Sequence, residues 1–253
     1  MKINKITLFI CTVLTIISGL AIILVDSIVP DSVDTSLYQS VASGIFTGFI
    51  VSLVISVIGY FHERNIILEK TDSNIKSLYI NMMVLSKIIG SILPQIHKAA
   101  SMKPLPFKNI SGLSELSVSF AEKMDLGLFS PIWQRGELAR IYAELIEFQQ
   151  ELYNIKNISV NLQAQTIDFT IKTLELQNAQ LRGVQPSPTE FESIDELKNL
   201  INIRTAKFHE YVTGQALELE KIAKFFYNYK DRKHPWERIK ANLMLQVEDI
   251  VKR

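Results

Sequence analysis

The chain has 253 residues, a formal net charge of +1, 47% hydrophobic residues and a single cysteine. A charge so near zero gives no global field for nucleic acid, and one cysteine excludes a disulfide framework and a zinc site built on thiolates. No phosphate loop, GxGxxG, GxSxG or HExxH is present, and none of His62, His97, His209 and His234 stands at metal-ligand spacing to another.

The first predicted element is an apolar run from Ile6 to Val25 that carries no charged residue. A second uncharged run extends from Thr35 to Phe61. A bilayer core ~30 Å thick needs about 20 apolar residues at 1.5 Å each, and both runs meet that length. The first is longer than the roughly 7–15 apolar residues of a signal core and lacks a small-x-small cleavage site, so it reads as a retained span. The spans are placed at about 6–25 and 37–61, with residues 26–36 between them. That connector holds Asp26, Pro30, Asp31 and Asp34 and no basic residue, whereas Lys2, Lys5, Arg64, Lys70 and Lys76 flank the spans. Basic residues stay on the cytoplasmic side. The expectation is a multi-pass inner-membrane protein with both termini cytoplasmic and a short exterior loop.

Small residues recur every fourth position on both runs: Thr7, Cys11, Thr15 and Gly19 on the first, Ser40, Gly44, Gly48, Ser52 and Ser56 on the second. Lipid tails are as apolar as leucine, so helices associate in a bilayer by close backbone approach and hydroxyl hydrogen bonds, which such ridges allow. Two readings stand. The ridge of one span packs on that of the other, or the ridges join copies of the chain into a homo-oligomer; the two can coexist, because the ridges cover only one face of each helix. Pumps and coupled transporters place ionisable groups in the membrane, and these runs hold none.

From His62 onward the apolar periodicity is helical throughout. Ile75, Leu78, Met82, Leu85, Ile89, Ile92 and Ile96 alternate three and four apart, a stripe for a helix over about 62–98, with a restart at Thr71-Asp72-Ser73 and a kink at Pro94 as options. Residues 100–118, with Pro104, Pro106 and Gly112, read as a loop, and Leu116–Phe129 as a short helix. Ser130-Pro131 starts a helix predicted over 131–182, in which Ile141, Phe148, Ile155, Leu162, Phe169 and Leu176 fall seven apart. Leu138, Leu145 and Leu152 accompany them at first, then Ser159, Thr166 and Thr173, which suggests a break near Asn157 or a change of partner. Gly183 stops it. Ser187-Pro188-Thr189-Glu190 is a capping box that opens a helix over 188–230, and a last helix spans 235–252. The predicted fold class is all-α: a two-helix transmembrane hairpin over 1–61, then a cytoplasmic helical bundle or coiled coil over 62–253. The long heptads pair within the chain or between chains.

The carboxylate pairs Glu190/Glu192 and Asp195/Glu196 sit at a helix start, where they complement the macrodipole. No nucleophile, base or metal constellation is legible, so no catalytic residue, metal or cofactor is expected, and the chain reads as non-enzymatic. Lys221, Lys224, Lys230, Arg232, Lys233, Arg238 and Lys240 fall within twenty residues, interleaved with Phe225, Phe226, Tyr227, Tyr229 and Trp236. Basic and aromatic residues together suit single-stranded nucleic acid or anionic lipid. They also suit a helix end with buried aromatics and solvated lysines.

The charge-free runs Ile6–Val25 and Leu37–Phe61, the short acidic loop and the helical region from His62 together resemble the two-span effector subunits of bacterial antiphage systems, those paired with retrons and the SLATT type. The resemblance implies a membrane-perturbing effector held silent by a cytoplasmic protein or ribonucleoprotein partner. The hairpin would act on the lipid bilayer and the helical region would dock the partner. The alternative is a membrane-anchored coiled-coil scaffold or signalling adaptor, whose spans only tether.

Overall fold

A computed structural model describes residues 2–28, 33–98, 107–124, 137–230 and 236–252. Every element in it is a helix: α1 Lys2–Ile28, α2 Val33–Lys98, α3 Phe107–Glu122, α4 Glu137–Leu181, α5 Pro188–Lys230 and α6 Trp236–Lys252. Two compact units divide at Lys70 and Thr71. The first holds α1 and the opening part of α2, the second the rest of α2 with α3 to α6.

In the first unit, two helices are long and apolar enough to cross a membrane. In α1 the stretch is Ile6–Leu24, and in α2 the apolar run begins at Tyr38. Charges begin at His62-Glu63-Arg64, so the part of α2 able to lie in hydrocarbon is Tyr38–Phe61, about 36 Å at 1.5 Å per residue. Phe9, Ile16, Leu20, Ile23, Val41, Val54, Ile55 and Ile58 are all more than half exposed. A buried core helix does not present such a surface. The connector is shorter than expected, since α1 runs on to Ile28 and α2 begins at Val33; residues 29–32, with Pro30 and Asp31, lie outside the described residues.

The second unit is built on the stripe read from α2. Ile75, Leu78, Met82, Leu85, Ile89, Ile92 and Ile96 are all at most 1% exposed. Their neighbour is α5, running in the opposite direction. Asp72 meets Tyr227, Tyr79 meets Glu220, and the Ser86 and Thr213 hydroxyls share a 2.8 Å hydrogen bond. Each step of seven along α2 is thus answered by seven back along α5. α2 does not restart at Thr71-Asp72-Ser73, and it holds Pro94 within its last turns before ending at Lys98. Thr71 is fully buried with its hydroxyl 3.3 Å from that of Tyr142 on α4. The apparent cap is a set of polar tertiary contacts inside a helix.

Residues 107–115, expected as loop, form most of α3, which ends at Glu122 and not at Phe129. Phe107, Ile110, Ser114, Ser117, Val118 and Ala121 are buried on one face. Half of that face is small, so it carries little apolar signal. Ser114 and Ser117 bond back to the Ile110 and Leu113 carbonyls, and the Asn81 amide donates to Leu113 O and Ser117 Oγ at 2.7 Å each. Residues 125–136, including the expected start at Ser130-Pro131, lie outside the described residues.

α4 is unbroken across Asn157. Ser159 and Thr166 are buried, and their hydroxyls donate to the Lys156 and Leu162 carbonyls at 2.7 and 2.8 Å. Back-bonding of this kind lets a polar seam be buried without orphaned donors. Gly183 has φ +76°, Val184 N–H reaches Ala179 O at 3.0 Å, and Gly183 N–H reaches Gln180 O at 3.0 Å. That is a Schellman stop, which requires a left-handed residue. Of the capping box, Glu190 accepts from the Ser187 N–H at 2.8 Å, while the Ser187 hydroxyl pairs with Thr189.

Two glycine sites separate propensity from packing. A Cβ at Gly112 or Gly214 meets nothing within 4 Å, so Gly112→Ala and Gly214→Ala should each add about 1 kcal/mol of stability. A Cβ at Gly90 lies 3.1 Å from His209 Nε2, so Gly90→Leu should cost about 1–3 kcal/mol by overpacking. Thermal melts of the three variants in detergent check both signs.

Candidate functional site

The two long apolar helices offer the first candidate. On α1, Cys11 and Ser18 are buried, Thr15 and Gly19 are half-buried, and Thr7 is exposed. The side of α2 that meets them does not carry the glycine ridge. A Cβ at Gly19 would lie 3.3 Å from the Phe46 ring, and the Ser56 hydroxyl lies 3.9 Å from Cys11 Sγ. Ser40, Gly44, Gly48 and Ser52 are exposed, and a Cβ at Gly44 or Gly48 would meet nothing within 4 Å. Within one chain the two ridges thus meet at Cys11 and Ser56, and no such contact is given for the four residues from Ser40 to Ser52. Ser56 is the only member of its row with a cross-helix contact given for the described residues. The row of four above it faces open space, because a four-residue repeat turns about 40° per step around the helix and leaves the contact face after Ser56. α1 also keeps its hydroxyls satisfied locally, Thr12 and Thr15 donating to the Leu8 and Cys11 carbonyls at 2.8 and 2.7 Å.

The basic and aromatic segment is the second candidate, and the structure resolves it into a packing corner. Trp236 is 1% exposed, stacked on Tyr227 at 5.3 Å and edge-on to Tyr79 at 5.1 Å. Phe226 and Tyr227 are buried as well. None of these rings presents a face on which a base or a lipid could lie. Lys221 pairs with Glu218 at 2.6 Å, Lys224 with Glu237 at 3.7 Å, Lys230 with Asp72 at 3.0 Å and Lys240 with Glu220 at 2.6 Å. Arg238 is exposed, and Arg232 and Lys233 lie outside the described residues. Phe225 is exposed, with the Arg140 guanidinium 4.9 Å from its centre, and Tyr229 is half-buried.

Asp72 is the centre of that corner and was invisible in the sequence. It accepts from the Tyr227 hydroxyl and from Lys76 and Lys230, the last two at 3.0 Å. Burial pushes its carboxyl up, but these donors and the Lys230 charge outweigh it and hold the group below its ordinary value. Burial, then the bond to Asp72, pushes the Tyr227 phenol up; burial, then the charge of Glu220 and the bond to it, raises Tyr79. Between α4 and α5, Tyr211 donates to Glu151 and is pushed up to about 12 by burial and that bond. Beside it a cavity of 380 Å³ is lined by Leu162, Phe208, Arg204 and Lys207 among others, and Gln165 Oε1, on the same lining, is buried without a partner. Among the described residues no three His, Cys, Asp or Glu side chains are grouped to hold a metal ion. No family model, curated protein or solved structure matches this chain.

Proposed function

We propose that this chain is an integral membrane protein whose first unit forms a transmembrane hairpin, with both termini in the cytoplasm, and self-associates to perturb the bilayer. The observation that carries the reading is the face of α2 bearing Ser40, Gly44, Gly48 and Ser52, which is turned away from α1 and left open. A simple tether has no use for a close-packing ridge aimed outward, whereas small-xxx-small ridges are how helices of separate chains meet in lipid. The helical region from Thr71 then serves as the control surface, held or triggered by a cytoplasmic protein or ribonucleoprotein. The system is of the kind its resemblance suggests, a bacterial antiviral defence in which this chain is a non-enzymatic effector.

The test is membrane potential in cells expressing the intact chain beside Gly44→Leu/Gly48→Leu at equal membrane abundance. Depolarisation by the intact chain, reduced at least tenfold in the double variant, is the expected result. Equal depolarisation by both would remove the ridge from the mechanism. The scaffold alternative predicts that an unrelated two-span anchor substitutes without loss.

A further inference from the structure

α4 is apolar on two faces. The inner face, with Ile155, Leu162 and Phe169, is buried. The outer carries Val160, Ile167, Leu174 and Leu181, again seven apart and offset by five residues, about 140° around the helix. These four are 46%, 52%, 53% and 85% exposed, and Ile171, which falls between them at the complementary heptad position, is 49% exposed. Solvated helix faces are ordinarily polar. A 3.5-residue apolar repeat matches a second helix that carries the same repeat.

We infer that this outer face of α4 pairs with the same face of a second copy of the chain. Two arguments choose the occupant. The face is a strip about 33 Å long and 10 Å wide, well short of the ~800 Å² per partner of a free-standing interface. A contact this small holds only a partner already concentrated beside it, and copies confined to one membrane are concentrated in that way. The inference rests on the membrane reading to that extent. The row also contains Asn178, exposed at a complementary position. In a parallel, in-register pair Asn178 meets its own counterpart, so both amides are satisfied, whereas a slipped pair sets each against an apolar side chain.

Because Cys11 is the sole cysteine, the test is single-cysteine cross-linking of the full chain in membranes, in a Cys11→Ser background. Ile167→Cys and Leu174→Cys should each give disulfide-linked dimer on mild oxidation. Lys172→Cys, on the flank of the same helix and 45% exposed as lysine, should give at least fivefold less. No dimer from either stripe variant, with both still labelled by a thiol reagent, overturns the inference. So does dimer from all three alike, which would report collision. Alkaline extraction of the same membranes reads the membrane assignment separately, so failure of one is not mistaken for failure of the other.

Discussion

Trp236→Ala is expected to release α6 from the second unit and to cost about 3–5 kcal/mol, the usual penalty for deleting a large buried aromatic. α6 has few other anchors. Only Trp236, Leu243 and Val247 are buried along it, and its polar ties include the Lys240–Glu220 pair at 2.6 Å, the exposed Lys224–Glu237 pair at 3.7 Å and a Met244 Sδ contact 4.0 Å from the Tyr79 hydroxyl. The ring therefore does most of the holding, against both Tyr79 and Tyr227. Hydrogen exchange should find α6 amides deprotected in the variant while the α2 stripe keeps its protection. Unchanged α6 protection would sink the assignment. Trp236→Phe is the contrasting variant. The indole Nε1 is buried without a partner, so phenylalanine retains a stacking ring and removes an unsatisfied donor. Its cost should stay near 1 kcal/mol despite the lost area.

Asp72→Asn is expected to cost about 2–3 kcal/mol at neutral pH, the range for removing a charge-assisted hydrogen bond from a partly buried network. The Asp72 side chain is 15% exposed, so little solvent screening tempers the loss, whereas Lys76 and Lys230 can each turn toward water. The pH dependence follows from the lowered carboxyl. A group whose folded pKa lies below its unfolded value of about 3.9 stabilises the fold fully above the unfolded value and loses that contribution as pH falls on through the lowered folded value. The gap between wild type and Asp72→Asn in urea melts should therefore be full at pH 7 and narrow below about pH 4. A gap that does not change with pH would mean that the carboxylate charge is not what Asp72 contributes. Tyr227 touches both Asp72 and Trp236. The two substitutions should thus be non-additive, with a coupling of about 0.5–3 kcal/mol.

The elements most legible in the sequence were those in which one large apolar side chain occupies every seam position. The α2 stripe from Ile75 to Ile96 was read residue by residue, α5 begins at the proline of its capping box, and α6 begins one residue after its expected start at 235. Reading failed where small or polar side chains do the packing. α3 buries Ser114 and Ser117 fully, and serines beside Gly112 look like a loop because they bond to backbone in turns as readily as in helices. Thr71-Asp72-Ser73 resembled a helix start for the same reason. What placed it mid-helix was Tyr142 and Tyr227, 71 and 155 residues away in the chain. For the spans, the glycine spacing was plain. The direction in which the ridge points depends on which α2 residues meet α1, and no local pattern encodes that.

The matched steps of seven between α2 and α5 bear on how this unit avoids misfolding by sliding. To an apolar stripe alone, a shift of one heptad looks much the same, since an apolar side chain again meets an apolar side chain. The polar rungs break that degeneracy. Moved by seven one way, Asp72 would stand against Glu220, carboxylate on carboxylate, and Ser86 would lose Thr213 for Ala206. Moved by seven the other way, Tyr79 would stand against Tyr227, and Glu220 would face Ser86. Each wrong alignment strands groups that the native one satisfies, at about 1–3 kcal/mol for every buried donor or acceptor left unpaired. The rungs work as a vernier: the greasy rows supply the grip, and a few hydroxyls and carboxylates decide the one position in which it closes.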